Sequence, residues 1–183
     1  MQEIVARLEA WLRKNHPKAL EGLTLGASEA QIAAYEKRLG VQLPTGMRAL
    51  YAWHNGTDPN SFTSIQNNRH LMSLEEVAGA REMMAGFVDD GTFEDRDWWH
   101  KAWVPFLDNG AGSHLCWDPA GSFGGKPGQV VEFWNRDKDR NIVAPSFDVW
   151  LTAFVESLEA ECRSASASGV RQCVAAGPWQ CHR

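Results

Sequence analysis

The sequence predicts an α+β fold in which one mostly antiparallel sheet is backed by helices. In the first half of the chain, apolar residues recur at helical spacing. From Trp103 onward, short runs rich in aromatic and β-branched residues alternate with glycine-rich turns. A chain of 183 residues can bury one core without disulfides or metals. This order of elements favours a single layered domain with a sheet of about three to six strands.

Four helices are predicted before the strands. The first has an apolar face and ends before Pro17, and the third covers residues 45–53. Capping boxes open the second helix at Ser28 and the fourth at Ser73, since each serine has Gln or Glu three residues later. Gly40 closes the second helix, because glycine readily adopts the left-handed conformation that helix ends require.

The strands are predicted in the runs WVPFL, HLCWD and QVVEFW, with a shorter strand at 70–72. NRDKDRN after the third run is predicted as a charged turn, and Ser146 is predicted to cap a last helix. Residues 1–162 are expected to form the domain. Residues 163–183 are small, polar and without periodicity, so we expect a weakly ordered tail.

Two glycine-rich stretches were tested against phosphate-binding motifs. The turn DNGAGS is followed by Leu115 where G-x-G-x-x-G needs its third glycine. GSFGGKPG has Pro127 in place of the Ser or Thr of a P-loop, and Ala120 in place of its first glycine. These glycines are therefore predicted to supply positive φ at hairpin turns.

A metal site would have to involve His114, Cys116 and Asp118. Alternate residues of a strand face the same side of a sheet, so the three side chains could converge. His54, His70 and His100 have no ligand spacing relative to them, and a catalytic zinc needs such further support. We expect no metal and no cofactor, with Cys116 a small buried apolar residue. Because no nucleophile motif is present either, we expect a protein that is not an enzyme.

Charge and hydropathy narrow the classes of partner. The formal net charge of −5 disfavours nucleic acid, whose phosphates require a basic surface, and favours a basic partner. No apolar run reaches the roughly 18 residues of a membrane-spanning helix. The first residues lack the apolar segment of a signal peptide, so we expect a cytoplasmic protein.

The most distinctive surface segment is DDGTFEDRDWWH, residues 89–100. Five acidic residues and one arginine are followed here by two adjacent tryptophans. One interpretation is a solvated loop whose tryptophans pack back onto the core. The other is a partner site, because aromatic residues dominate binding hot spots and acidic rims attract basic partners. The candidate contact residues are Asp95, Asp97, Trp98 and Trp99, with Trp53 and Asn55.

Two blocks together resemble the SUKH superfamily, in particular its Smi/Knr-like branch. The resemblance covers about 25–160. The first block has the pattern I-x-x-x-E-x-x-L-G, then L-P, then N-G, and the second has W-[IV]-P-[FI], a glycine turn, a strand ending in Asp, and Ser-Phe before the last helix. The matching positions are Ile32, Glu36, Leu39, Gly40, Leu43, Pro44, Asn55, Gly56, 103–106, 108–112, 114–118, 128–134, Ser146 and Phe147.

This resemblance implies an α+β fold and a protein-binding role. Bacterial members look like immunity proteins that bind and block a toxin encoded beside them, often a nuclease, so the implied partner is a basic toxin domain. A regulatory scaffold for an endogenous partner, as in the control of cell-wall synthesis, is the alternative. A metal-dependent enzyme is a third and weaker possibility.

Overall fold

The structure is a computed structural model that describes residues 1–61, 63–93, 95 and 97–168, with side chains described up to residue 160. Its elements confirm the α+β prediction. Within the described residues there are six helices and five strands, in the order α1 Gln2–Asn15, α2 Pro17–Glu21, α3 Glu29–Leu39, α4 Thr45–Trp53, β1 His70–Leu71, α5 Leu74–Asp89, β2 Val104–Asp108, β3 His114–Asp118, β4 Gln129–Phe133, β5 Arg140–Ala144 and α6 Phe147–Ser168.

The helix ends follow the predicted capping chemistry. Ser28 and Ser73 both form complete capping boxes, in which the serine hydroxyl accepts a backbone N–H and the N3 side chain accepts the serine N–H. Gly40 ends α3 in the left-handed conformation, with φ of 69°. Ser146 Oγ accepts the Val149 N–H at the start of α6. These local bonds occupy backbone groups that a helix end leaves without an intrahelical partner.

The five strands form one antiparallel meander in the order β1-β2-β3-β4-β5. The predicted hairpin turn joins β2 to β3, and Gly110 and Gly112 in it have φ of 74° and 80°. The Asp108 carboxylate accepts the Gly110 N–H, and Asn109 accepts the N–H of Ala111. The glycine-rich motif is therefore a structural turn, as predicted.

The sheet separates two apolar clusters. The inner cluster contains Leu115, Trp117 and Val130 from the sheet, together with residues of every helix. The outer cluster consists of Met84, Trp99, Trp103, Cys116, Val131 and Phe133, with Phe87, Val88, Phe93 and Trp98 partly buried against it. Adjacent strand residues such as Leu115 and Cys116 fall in different clusters because side chains alternate across a strand. Both faces of the sheet are thus covered.

Three features differ from the sequence prediction. The charged run from Asn135 continues into β5, which was not predicted as a strand. Pro17 begins the short helix α2, where a proline fits because the first helical N–H needs no partner. Helix α6 extends to Ser168, so residues 163–168 of the predicted tail are helical. The remainder of that tail, 169–183, lies outside the described residues, and the domain boundary at 162 stays a prediction.

Candidate partner-binding surface

The segment from Phe87 to Trp103, here called the outer layer, covers the face of the sheet opposite most of the helices. It starts in the last turn of α5 and ends just before β2. Its apolar side chains form the outer cluster with Cys116, Val131 and Phe133 of the sheet. Within the described residues, the acidic segment is therefore attached to the sheet by the aromatic residues Phe93, Trp98 and Trp99.

Trp99 anchors the outer layer. Its side chain is 2% exposed, and its ring packs edge-to-face on those of Trp103 and Phe133, with centroid distances of 5.3 and 5.1 Å. This agrees with the interpretation in which the tryptophans pack onto the core. Trp99, one of the candidate contact residues, is therefore buried in this conformation, and a role for it in partner binding stays a prediction. Its replacement would disturb a partner site through packing.

Trp98 lies beside Trp99 and is half-buried. The Arg140 guanidinium lies 5.0 Å from the Trp98 ring centroid and 4.7 Å from that of Phe133. Arg140 also donates from Nη2 to the Trp98 carbonyl at 2.9 Å. Burial lowers the pKa of Arg140, although nearby acidic residues oppose the shift. The guanidinium thus links β5 to the outer layer and packs against the ring of Trp98.

Asp95 and Asp97 form the exposed edge of the outer layer. The Asp95 carboxylate accepts the Asp97 N–H at 2.9 Å, which fixes the local turn. Lys101 forms an ion pair with Asp89. The Asp97 carboxylate has no hydrogen-bonding or ionic partner among the described residues, which leave out 94 and 96. The exposed carboxylates of Asp95 and Asp97 therefore lie next in sequence to Trp98 and Trp99, whose packed rings hold this part of the outer layer on the sheet.

Trp53 and Asn55 have roles in the other part of the fold. Trp53 packs against the inner cluster and donates its indole N–H to Glu9 at 3.2 Å. Asn55 accepts the first N–H of α5, that of Leu74, at 3.0 Å. No hydrogen bond or ring contact connects either residue with 95–99 within the described ranges. The structure brings Asp95, Asp97, Trp98 and Trp99 together and leaves these two apart.

The three residues considered for metal binding do share the outer face of β3, as their spacing predicted. His114 Nδ1 lies 2.8 Å from the Asp108 carboxylate. Burial raises the pKa of the Cys116 thiol, which makes the thiolate unfavourable. Asp118 accepts N–H groups of the following turn and of Gln129. Each side chain has an evident structural environment, and within the described residues no three His, Cys, Asp or Glu side chains are arranged to hold a metal.

A half-open cavity of about 290 Å³ lies next to the exposed edge of the outer layer and was missed by the sequence reasoning. It is lined by Asp97, Trp99, His100, Ser122 and Phe123. Phe123 is 45% exposed and has a φ of 57°, which is unusual for a residue other than glycine. Nothing in the sequence around Phe123 indicates that it lies close to Asp97, because only the tertiary fold brings the two residues to one cavity.

Across the described residues, none of the helices combines the length and the apolar character needed to span a bilayer.

The antiparallel meander backed by helices defines an α+β module. The chain belongs to the SMI1/KNR4 family (SUKH-1), whose family model matches residues 26–153. This confirms the resemblance seen in the sequence. Members of this family are regulators or immunity proteins and are generally not enzymes, so membership supports a protein-binding module.

The chain is also similar to a protein of Schizosaccharomyces pombe (strain 972 / ATCC 24843) described as cell wall biosynthesis/cell cycle regulator smi1. The two are 24% identical over an alignment of 177 residues. The alignment covers 84% of this chain and 35% of the relative. The chain thus spans about a third of the length of this curated relative.

Proposed function

We propose that this chain is a non-enzymatic, cytoplasmic binding protein that recognises a basic protein domain through the exposed edge of the outer layer. We infer that the chain acts as an immunity protein, which neutralises a cognate toxin by binding it directly. The carboxylate of Asp97, unpaired within the described residues and mounted on the Trp98–Trp99 base, is the observation that carries the proposal. A supported acidic surface loses little side-chain freedom on binding, which favours tight association.

The charge of the site agrees with this partner class. Asp89, Asp90, Asp95 and Asp97 lie within nine residues of sequence and are all exposed. A hydrogen bond from Thr92 lowers the pKa of Asp90, so its carboxylate stays ionised at neutral pH. Domains that bind nucleic acid need basic surfaces, so a nuclease toxin would offer a complementary charge.

The test is a binding and rescue experiment with the product of the gene next to that of this chain. Co-expression of the full chain should restore growth of cells that produce the toxic domain, and the two purified proteins should form a stable complex. The double variant Asp95→Asn/Asp97→Asn should weaken binding by at least about 2 kcal/mol, if both carboxylates pair with cations at the interface.

Glu3→Gln/Glu21→Gln is the matched control, because it removes the same charge from exposed positions of α1 and α2. The control should bind like the unchanged chain. Equal losses in both double variants would mean that only net charge matters, and would remove the outer layer from the interface. A stable complex that leaves the toxin fully active would contradict neutralisation.

A regulatory scaffold is the second candidate, and the likeness to the fission-yeast regulator favours it. In this case the partner is endogenous, and the same outer layer would bind it. Affinity capture with the full chain, from cells that lack any toxin gene cluster, separates the two candidates. A housekeeping protein that is captured by the unchanged chain and lost with Asp95→Asn/Asp97→Asn would favour the scaffold over the immunity protein.

A further inference from the structure

The cavity beside Asp97 has the composition of a site for one cationic side chain. The ring of Phe123, which is 45% exposed, supplies aromatic surface, and Asp97 supplies a carboxylate at the exposed side. Its volume of about 290 Å³ is at the lower limit of pockets that hold small molecules, roughly 300 Å³. A cavity of this size suits a single long side chain.

The base of the cavity is held by a network of buried groups. The Ser122 N–H donates to the Asp118 carboxylate at 2.6 Å, and the Ser122 carbonyl accepts from Gln129 at 2.9 Å. The Ser122 hydroxyl accepts the Trp103 indole N–H at 3.0 Å. Hydrogen bonds lower the pKa of Asp118 although burial alone would raise it, so this carboxylate stays ionised and keeps the turn in place. The cavity is therefore preformed.

Two cations that contact the outer layer are already engaged. Lys101 of this layer pairs with Asp89, and Arg140 of β5 donates to the carbonyls of Trp98, Asp137 and Asp139. Asp97 has no cationic partner within the described ranges. Among these residues, its carboxylate is therefore available to a cation of a second molecule.

We propose that the cavity receives an arginine side chain of the protein partner, with its guanidinium between Asp97 and the exposed ring of Phe123. This inference rests on the proposed protein-binding function and specifies the partner's chemistry. Arginine fits better than lysine because its planar group stacks on aromatic rings, pairs with a carboxylate through two N–H groups, and is more weakly hydrated. The Ser122 hydroxyl offers one further acceptor position.

The test uses the ¹⁵N-labelled full chain and the capped peptide acetyl-Gly-Arg-Gly-amide, followed by NMR. The peptide should shift the indole signals of Trp99 and Trp103 and the amide signal of Phe123 in a saturable manner. A peptide with citrulline in place of arginine has nearly the same shape without the charge, and it should cause no saturable shift. The lysine peptide should bind several-fold more weakly than the arginine peptide.

Two variants locate the binding site. Asp97→Asn should reduce the affinity for the arginine peptide about tenfold, and Phe123→Ala should reduce it about two- to fivefold, as expected for an exposed cation–π contact. Glu21→Gln is the matched control, because it removes an exposed carboxylate of α2 that lies outside both the cavity lining and the outer layer. It should change the affinity less than about twofold.

Several results would overturn the inference: an equal response to the citrulline peptide, unchanged affinity of Asp97→Asn, or shifts confined to residues away from the cavity. Free arginine serves as an additional test ligand in the same NMR experiment. If it binds about tenfold or more tightly than the capped peptide, the cavity is a small-molecule site and the partner-arginine proposal is wrong.

The two binding experiments distinguish a failure of the cavity inference from a failure of the proposed function. If the neighbouring gene product still binds the chain but the arginine peptide does not, the protein-binding function stands and the cavity inference fails. If the peptide binds as expected while the gene product neither binds nor is neutralised, the cavity chemistry stands and the immunity proposal fails.

Discussion

At the scale of single residues, the signature positions of the family are structural. Glu36 is 3% exposed, and its carboxylate accepts the Leu43 N–H at 2.9 Å and pairs with Arg48. It therefore fixes the chain between α3 and α4, where the extended L-P step lies. Asn55 similarly accepts the first N–H of α5. These residues recur in the pattern because they close turns, which explains why they give little information about the partner.

Glu36→Ala should lower the free energy of unfolding by about 2–4 kcal/mol. The substitution leaves the buried Leu43 N–H without its acceptor and Arg48 without its buried partner. Glu29 is the matched control, since it pairs with the same Arg48 but has a 78% exposed side chain. Glu29→Ala should lose less than about 1 kcal/mol. Urea denaturation measures both, and similar losses would show that the buried carboxylate has no special role.

Asp118 should make the stability depend on pH in the acid range. Burial raises its pKa, but hydrogen bonds from Gln129, Ser122 and Ala120 outweigh this and lower the pKa below its ordinary value. A carboxylate with a lowered folded-state pKa stabilises the fold above its unfolded-state pKa, about 3.9. That contribution is lost as the pH falls through the folded-state pKa.

Asp118→Asn should therefore be less stable than the unchanged chain by about 2 kcal/mol near pH 7. The difference should shrink below about pH 4, because the wild-type carboxyl is then protonated as well. Urea denaturation across this range provides the measurement. A gap that stays constant from neutral to acid pH would mean that the ionised form of Asp118 does not stabilise the turn.

At the scale of elements, two glycines form a matched pair, one facing the N-cap of helix α5 and one within this helix. Gly56, in the turn that follows α4, has a φ of 97°, and an added Cβ would lie 2.5 Å from the nitrogen of Ser73, the N-cap of α5. Gly79 lies within α5 with open space around an added Cβ. Gly56→Ala should destabilise the fold by about 2 kcal/mol or more, whereas Gly79→Ala should stabilise it by about 0.5–1 kcal/mol. Thermal unfolding that moves both variants in the same direction would contradict this prediction.

The elements that could be predicted are those whose signals are local. Capping boxes, the left-handed Gly40 and the glycine turn after Asp108 each depend on a few adjacent residues, and all were found as predicted. Strand β5 was missed because Arg140 and Asn141 look like part of a polar turn, and such residues are tolerated on an edge strand paired on one side. Its pairing with β4 is a hairpin contact made through backbone hydrogen bonds, which the periodicity of side chains does not encode.

At the scale of the whole molecule, the candidate site was predicted only in part. The acidic and aromatic composition of residues 89–100 marked the right segment as unusual. Composition could not show that Trp99 turns inward while Asp97 stays outside, because that choice depends on packing against Phe133 of β4. The cavity joins Asp97 to Phe123 of a turn between β3 and β4, so it follows from the tertiary fold alone.

The net charge of −5 predicts salt-dependent association with a basic partner. Raising the salt concentration from about 0.05 to about 0.5 M should lower the association rate constant about tenfold and change the dissociation rate constant little. Stopped-flow or surface-based kinetics with the neighbouring gene product would measure this. Asp95→Asn/Asp97→Asn should show a shallower salt dependence than Glu3→Gln/Glu21→Gln, and equal slopes would indicate that the outer layer does not guide the encounter.

The edge-to-face packing of Trp99 on Trp103 also gives the molecule a built-in optical reporter. Two indoles 5.3 Å apart and inclined at 74° couple their excited states and produce a paired positive and negative band in circular dichroism. Since Trp99 anchors the outer layer and Trp103 directly precedes β2, the band pair should vanish when the part of this layer up to Trp99 lifts away from Trp103. Detachment could thus be followed in unlabelled protein, separately from the melting of the helices on the opposite face.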